Sequence, residues 1–109
     1  LTNETFHLID ANKLNKLKDN CILINVSRGG VIDEIALIDA LDKNKFLGVA
    51  LDVFEKEPLS KYNKLWDFER VILTPHNSFV SDKVNQRLFN MLKMNLQTFI
   101  GKNGVSKIP

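Results

Sequence analysis

Cys21-Ile22-Leu23-Ile24-Asn25-Val26 is a near-continuous apolar run, rich in β-branched residues and without strict alternation. Strands covered on both faces read this way. Two further runs share the character: Gly48-Val49-Ala50-Leu51-Asp52-Val53 and Val71-Ile72-Leu73-Thr74. Helical stretches alternate with them. Asp10 is a good N-cap for a helix over Ala11–Lys18, with Ile9 stapled onto Leu14. The same grammar recurs where Ile32, Asp33 and Leu37 supply staple, cap and staple for a helix over Glu34–Asp42, ended by Lys43-Asn44-Lys45. A longer helix is predicted from about Asp82 to Ile100, capped by Ser81 and stopped by Gly101. Its apolar positions Val84, Leu88, Leu92, Leu96 and Phe99 make one face that should pack against something, and its polar face is too poor in basic groups for a membrane-surface helix. Buried strands alternating with helices imply an α/β fold with a parallel sheet and right-handed crossovers.

Composition sets the outer limits. The chain has 109 residues, 15 basic and 13 acidic, for a net charge of +2, with 44% hydrophobic and 26% charged residues. These are the proportions of an ordinary globular domain with enough aliphatic content to fold. No apolar run approaches the ~18 residues of a membrane helix. The charge is too small and too evenly spread to point to nucleic acid. Cys21, the only cysteine, can form no internal disulfide or cysteine-rich metal site, so a reducing cytoplasm is the expected compartment. The chain opens at Leu1 without an initiator methionine and enters patterned sequence at once, and no targeting segment is expected within it. It is expected to be a piece of a longer protein, and its length suits one core.

In an open parallel sheet, ligands bind at the carboxyl ends of the strands. Ser27-Arg28-Gly29-Gly30 follows the first run. Asp52 and then Phe54-Glu55-Lys56-Glu57-Pro58 follow the second, and Thr74-Pro75-His76-Asn77-Ser78 the third. A guanidinium, at least two carboxylates and an imidazole should therefore share one edge. Each has a structural alternative: Arg28 as a turn residue before two glycines, Asp52 as a cap, Glu55 and Glu57 as solvated loop charges, His76 as a core hydrogen-bonding group. His7 lies in the N-terminal stretch, away from these exits, and is read as structural. Together Arg28, Asp52, Glu57 and His76 suit a reaction on an anionic carbonyl compound. Arg28 can grip a carboxylate with two parallel bonds, His76 can pass a proton near neutral pH, and a carboxylate can orient that imidazole. Ser27 and Ser78 lack a partnering base for acyl transfer, and no spacing of His, Cys and Asp resembles a metal-ligand set, so none is expected.

At these residues the chain resembles the NAD-binding domain of the D-isomer-specific 2-hydroxyacid dehydrogenases. The matching segments are Leu1-Thr2-Asn3-Glu4-Thr5 with Leu8-Ile9, Ile24 through Glu34, Ala50 through Leu59, Leu65-Trp66 and Leu73-Thr74-Pro75-His76. They stand in the family's order and spacing over nearly all of the chain. The resemblance implies a Rossmann-type domain present as its second half plus the C-terminal helix, over residues 1–109. It implies Arg28 as the substrate-binding arginine, His76 as the acid/base and Glu57 as its paired carboxylate. Asp52 would meet the nicotinamide carboxamide. Val26, Ser27 and Arg28 would line the nicotinamide and its ribose, with His76, Asn77, Ser78 and Phe79 closing the pocket. Glu55 falls at a variable position. Asn3 and His7 stand where proline and glycine are common, and Asn77 to Val80 are bulkier than the family's usual small residues, which leaves the substrate open.

The same resemblance implies hydride transfer between NAD(H), with NADP left open, and a small 2-hydroxy or 2-oxo acid, in a full-length homodimer. The family's glycine-rich pyrophosphate loop and most of its substrate domain are expected ahead of Leu1, and Gly29-Gly30 is too short to replace that loop. The isolated chain is therefore expected to be inactive. Two other readings stay open: a non-catalytic NAD-sensing co-regulator related to this family, and a binding domain that merely shares the sheet architecture.

Overall fold

Asp10 caps α1 (Ala11–Lys16) by accepting the Lys13 N–H at 2.9 Å. Asp33 caps α2 (Glu34–Asp42) by accepting from Ala36 at 3.0 Å. Both caps are where the sequence puts them, and α2 has the predicted bounds. The first helix is shorter than expected. Leu17 turns to extended backbone (φ −64°, ψ 149°) and closes the helix two residues before Lys18. The computed structural model describes residues 1–101. The chain divides into two units, Leu1–Ser78 and a second beginning at Phe79.

Within the first unit β1 (Cys21–Asn25), β2 (Phe46–Leu51) and β3 (Val71–Leu73) form a parallel sheet in the order β1-β2-β3. Asn25 pairs with Leu51 and Leu51 with Leu73, so the three strands finish in register at one edge. The segments that follow each strand are consequently delivered to the same rim. The second strand lies two residues earlier than its apolar run, which leaves Asp52 and Val53 just past its end rather than inside it.

Leu14 of α1 and Leu37 and Leu41 of α2 pack with Phe46, Val49 and Leu51 of β2 in a single buried cluster. That covers one face of the sheet. The opposite face corrects the expectation of strands buried on both sides: Ile22, Ile24, Leu47 and Ile72 are all exposed, Ile24 by 64%. Successive side chains of a strand point to opposite faces. A run apolar at every position therefore has an apolar second face whether or not that face is covered in this chain.

The connection from Asp52 to Arg70 is irregular but anchored. Its 3-10 turn, Lys64–Asp67, buries Leu65 completely. The Asn63 side chain accepts the Leu65 N–H at 2.9 Å, and the Trp66 indole N–H donates to the Ser60 carbonyl at 3.0 Å.

The second unit contributes α3 (Val84–Ile100), stopped at Gly101 as predicted. It begins two residues later than Asp82, with Lys83 rather than Ser81 at its cap position and no side-chain capping bond. Ser81 instead accepts from Lys83 through its hydroxyl and from Val84 through its carbonyl, forming a turn ahead of the helix. No residue of α3 is buried, so its predicted apolar face lies open. Among the described residues no helix is long and apolar enough to cross a membrane.

Candidate active site

Asn25, the last residue of β1, is a polar side chain that is almost wholly buried. Its carboxamide oxygen accepts from the Ser27 N–H (3.1 Å) and the Ser27 hydroxyl (2.8 Å), while its NH2 donates to the Arg28 carbonyl (3.1 Å). One side chain thus folds the turn that presents Ser27 and Arg28. Nothing in the sequence marks Asn25 beyond a polar residue interrupting an apolar run. Val26, beside it, is exposed.

Gly29 then presses this turn onto the next. A Cβ at that position would lie 1.8 Å from the Phe54 carbonyl carbon and 2.0 Å from its oxygen. Only glycine permits such an approach. The Arg28 turn and the loop from Phe54 to Glu57 are therefore in backbone contact.

The third exit is held by Asp52, which is 3% exposed. Its carboxylate accepts from the Thr74 hydroxyl (2.5 Å), the Asn77 N–H (2.9 Å) and the Ser78 N–H (2.8 Å). Burial works against its ionisation, but these three donors outweigh burial and hold the carboxyl far below the usual carboxylate range. Asp52 thereby fastens the Thr74–Ser78 loop to the end of β2, rather than capping the segment that follows it.

His76 sits on that loop with φ 52°, the left-handed region that few residues other than glycine adopt. Its Nδ1 meets Glu57 Oε2 at 2.7 Å, and the other oxygen of Glu57 accepts the Phe54 N–H at 3.0 Å. The hydrogen bond with His76, then the Phe54 N–H, hold the Glu57 carboxyl below its ordinary range against a smaller effect of burial. Glu57 is therefore a carboxylate near neutral pH. It accepts the Nδ1–H of His76 and leaves Nε2 as the ring nitrogen able to give or take a proton.

Arg28, Glu57 and His76 line one cavity of about 330 Å3, with Phe6, Gly29 and Gly30 also in its wall. Arg28 donates to the Ser27 carbonyl at 2.7 Å, and among the described residues no carboxylate pairs with it. A second, more apolar cavity of about 650 Å3 shares Phe54, Glu57 and His76 and is walled by Pro58, Leu59, Trp66 and Leu73. Asn77 and Ser78 are exposed beside His76, with their backbone N–H groups engaged by Asp52. Phe79, the remaining residue singled out in the sequence, opens the second unit and is exposed.

His7 corrects the sequence reading. Far from standing away from the exits, its backbone N–H donates to the Gly30 carbonyl (2.7 Å) and its Nε2 meets Glu55 Oε1 (2.8 Å). Asp33 completes a cluster in which one ligand-capable atom from each of His7, Asp33 and Glu55 lies within 4.8 Å of the others. Residues so far apart in the chain offer no spacing by which such a cluster could be foreseen.

The family model described as D-isomer specific 2-hydroxyacid dehydrogenase, NAD binding domain, matches residues 1–78. A glyoxylate reductase of Thermofilum pendens is 43% identical over 96 residues, which cover 88% of this chain and 28% of that one. Glyoxylate/hydroxypyruvate reductase B of Pectobacterium carotovorum is 50% identical over 76 residues, 70% of this chain and 24% of the other. Among solved structures, a D-isomer specific 2-hydroxyacid dehydrogenase from Xanthobacter autotrophicus in complex with NADPH and MES superposes with a TM-score of 0.82 at 35% identity. That alignment covers 96% of this chain and 43% of the other. The chain therefore spans less than half the length of each of these relatives, and it belongs to the D-isomer specific 2-hydroxyacid dehydrogenase family, within the NAD-binding domain.

Proposed function

We propose that this chain supplies the substrate-facing half of the NAD-binding domain of an oxidoreductase that moves a hydride between NAD(P)(H) and a D-2-hydroxy acid and its 2-oxo acid. The observation that carries the proposal is the 2.7 Å contact of Glu57 with His76 in the wall of the cavity that also contains Arg28. Short 2-oxo acids of the glyoxylate and hydroxypyruvate kind are the substrate class to test first, from the names of the Thermofilum and Pectobacterium relatives.

The chemistry of the residues follows from their placement. Arg28 binds the substrate carboxylate with its planar fork and draws electron density from the neighbouring carbonyl. His76 Nε2 gives a proton to the carbonyl oxygen during reduction and takes one from the hydroxyl during oxidation. Glu57 accepts from Nδ1 and fixes the orientation of the ring. Hydride chemistry is what the nicotinamide supplies when bound.

The donor set fits the nicotinamide end of a dinucleotide and not its pyrophosphate. Val26 offers exposed apolar surface beside Ser27 and Arg28, and Asn77 and Ser78 lie exposed beside His76. Gly29 is wedged against Phe54, and Val31 and Ile32 donate their N–H groups back to Arg28 and Gly29, which argues against a phosphate cradle at this turn. In the proposal that cradle, the substrate domain and homodimer contacts belong to the remainder of a longer protein.

The test is steady-state kinetics on the full-length protein with His76→Asn, chosen because asparagine tolerates a positive φ. Oxidation and reduction should both fall by about 10²–10⁴-fold, with NADH affinity retained. Turnover that survives the substitution would overturn the assignment of His76. Cofactor binding without turnover in the parent protein would favour a non-catalytic, NAD-sensing regulator.

A further inference from the structure

We propose that His7 and Glu55 are positioning residues, a clamp that fixes the loop from Phe54 to Glu57 and so aims Glu57 at His76. The inference rests on the functional reading above for the importance of the Glu57–His76 pair, but its geometry stands independently. Glu55 Oε1 accepts from two elements at once, the Glu34 N–H at the start of α2 (2.9 Å) and Nε2 of His7 (2.8 Å). A carboxylate at the first turn of a helix is also favoured by the exposed N–H groups and dipole there.

His7 is itself held from several sides. Its N–H is fixed to Gly30, its ring stacks on Phe6 with centroids 4.0 Å apart, and its Nδ1 lies 3.9 Å from Asp33 Oδ2. Its backbone keeps φ 50°, left-handed like that of His76. A residue in that region persists only where its surroundings determine it.

Two residues beyond Glu55, Glu57 has one carboxylate oxygen on the Phe54 N–H and the other on His76. Gly29 bears on the backbone of the same loop from the Arg28 side. The loop is thus fixed at Gly29, at Glu55 and at Glu57, and removing the middle fastening leaves Glu57 free to drift from the imidazole. A carboxylate that only tied down the N-terminal segment would not need the bond to Glu34.

The experiment follows the Glu57 carboxyl titration by NMR in the chain itself, comparing the parent with His7→Gly, His7→Gln, Glu55→Ala and His76→Asn. Glycine at residue 7 accepts the positive φ, so the comparison reports the lost ring and not a strained backbone. In His7→Gly and Glu55→Ala, the Glu57 midpoint should rise toward the ordinary carboxylate range by half or more of the rise seen in His76→Asn. His7→Gln, which retains an N–H donor for Glu55, should restore most of it. A Glu57 midpoint unmoved in His7→Gly and Glu55→Ala overturns the clamp.

In the full-length protein, the two disrupting variants should lose roughly tenfold to hundredfold in kcat, the cost of small misplacements, with KM for the oxo acid little changed. A change in KM alone also overturns it. A parent protein that reduces no 2-oxo acid would count against the functional reading, and the NMR comparison would still decide the clamp.

Discussion

Gly29 lies against the backbone of Phe54, so close that a methyl group on Gly29 would stand 1.8 Å from the Phe54 carbonyl carbon. The contact is between backbones, and no rotamer change can relieve it. It joins the turn that carries Arg28 to the loop that carries Glu57, which come from different strands.

Gly29→Ala should therefore be costly in two ways. Forcing a methyl into filled space costs about 1–3 kcal/mol, and this overlap belongs at the upper end. The two loops must also separate, which pulls Arg28 away from Glu57 and His76. Urea denaturation checks the first effect. A variant as stable as the parent would mean that the two turns are not packed this way.

Asp52 gives the chain an acid-sensitive joint. Its carboxyl is held far below the ordinary value of about 3.9 by Thr74, Ser78 and Asn77, against the cost of burial. A group whose folded pKa is depressed adds stability above its unfolded pKa and loses it as pH falls through the folded one. The parent should accordingly weaken as pH drops below about 4. Asp52→Asn should be less stable than the parent at pH 6, because an NH2 group would face N–H and O–H donors, and its acid-side decline should be shallower. Equal acid-side slopes for the two proteins would show that Asp52 does not carry this dependence.

The two faces of the sheet should respond differently to substitution. Ile24→Thr, on the exposed face, should change stability by no more than about 0.5 kcal/mol. Leu51→Ala, in the buried cluster, should cost about 2–5 kcal/mol. Equilibrium unfolding of both variants provides the comparison. A large loss at Ile24 would mean that this face is covered in solution.

The features legible in the chain are those whose cause is local or topological. Asp10 and Asp33 cap their helices because a carboxylate one position before a helix has its donor three residues on, within reach of a reader of the sequence. The meeting of Arg28, Glu57 and His76 at one rim followed from parallel strands alone, since strands finishing in register put their exits side by side. The miss at the start of α3 is also local: Ser81 has capping chemistry, but its bonds close a turn two residues too early. The partnership of His7 with Glu55 left no trace. His7 and Glu55 are 48 positions apart, and neither alone resembles half of a pair. Asn25 was hidden for another reason, because its three bonds depend on the strand ending at that residue.

The last expectation concerns NADH and the chain on its own. Tight binding of a dinucleotide needs N–H groups free to face the pyrophosphate, commonly at a glycine-rich turn opening a helix. In the turn that looks most like one here, Gly29 is packed on Phe54, and Val31 and Ile32 donate their N–H groups back to Arg28 and Gly29. Arg28 and His76 can meet a nicotinamide and a small acid, but a few contacts at one end of so large a ligand leave most of its surface in water. Calorimetry should therefore show NADH binding to the isolated chain at least about a thousandfold weaker, some 4 kcal/mol, than to the full-length protein. Nicotinamide mononucleotide should bind the chain about as well as NADH does, because the adenylate half would find nothing to hold it. If NADH bound far better than the mononucleotide, the described residues would have to contain a phosphate or adenosine site that the geometry of the Gly29-Gly30 turn does not provide.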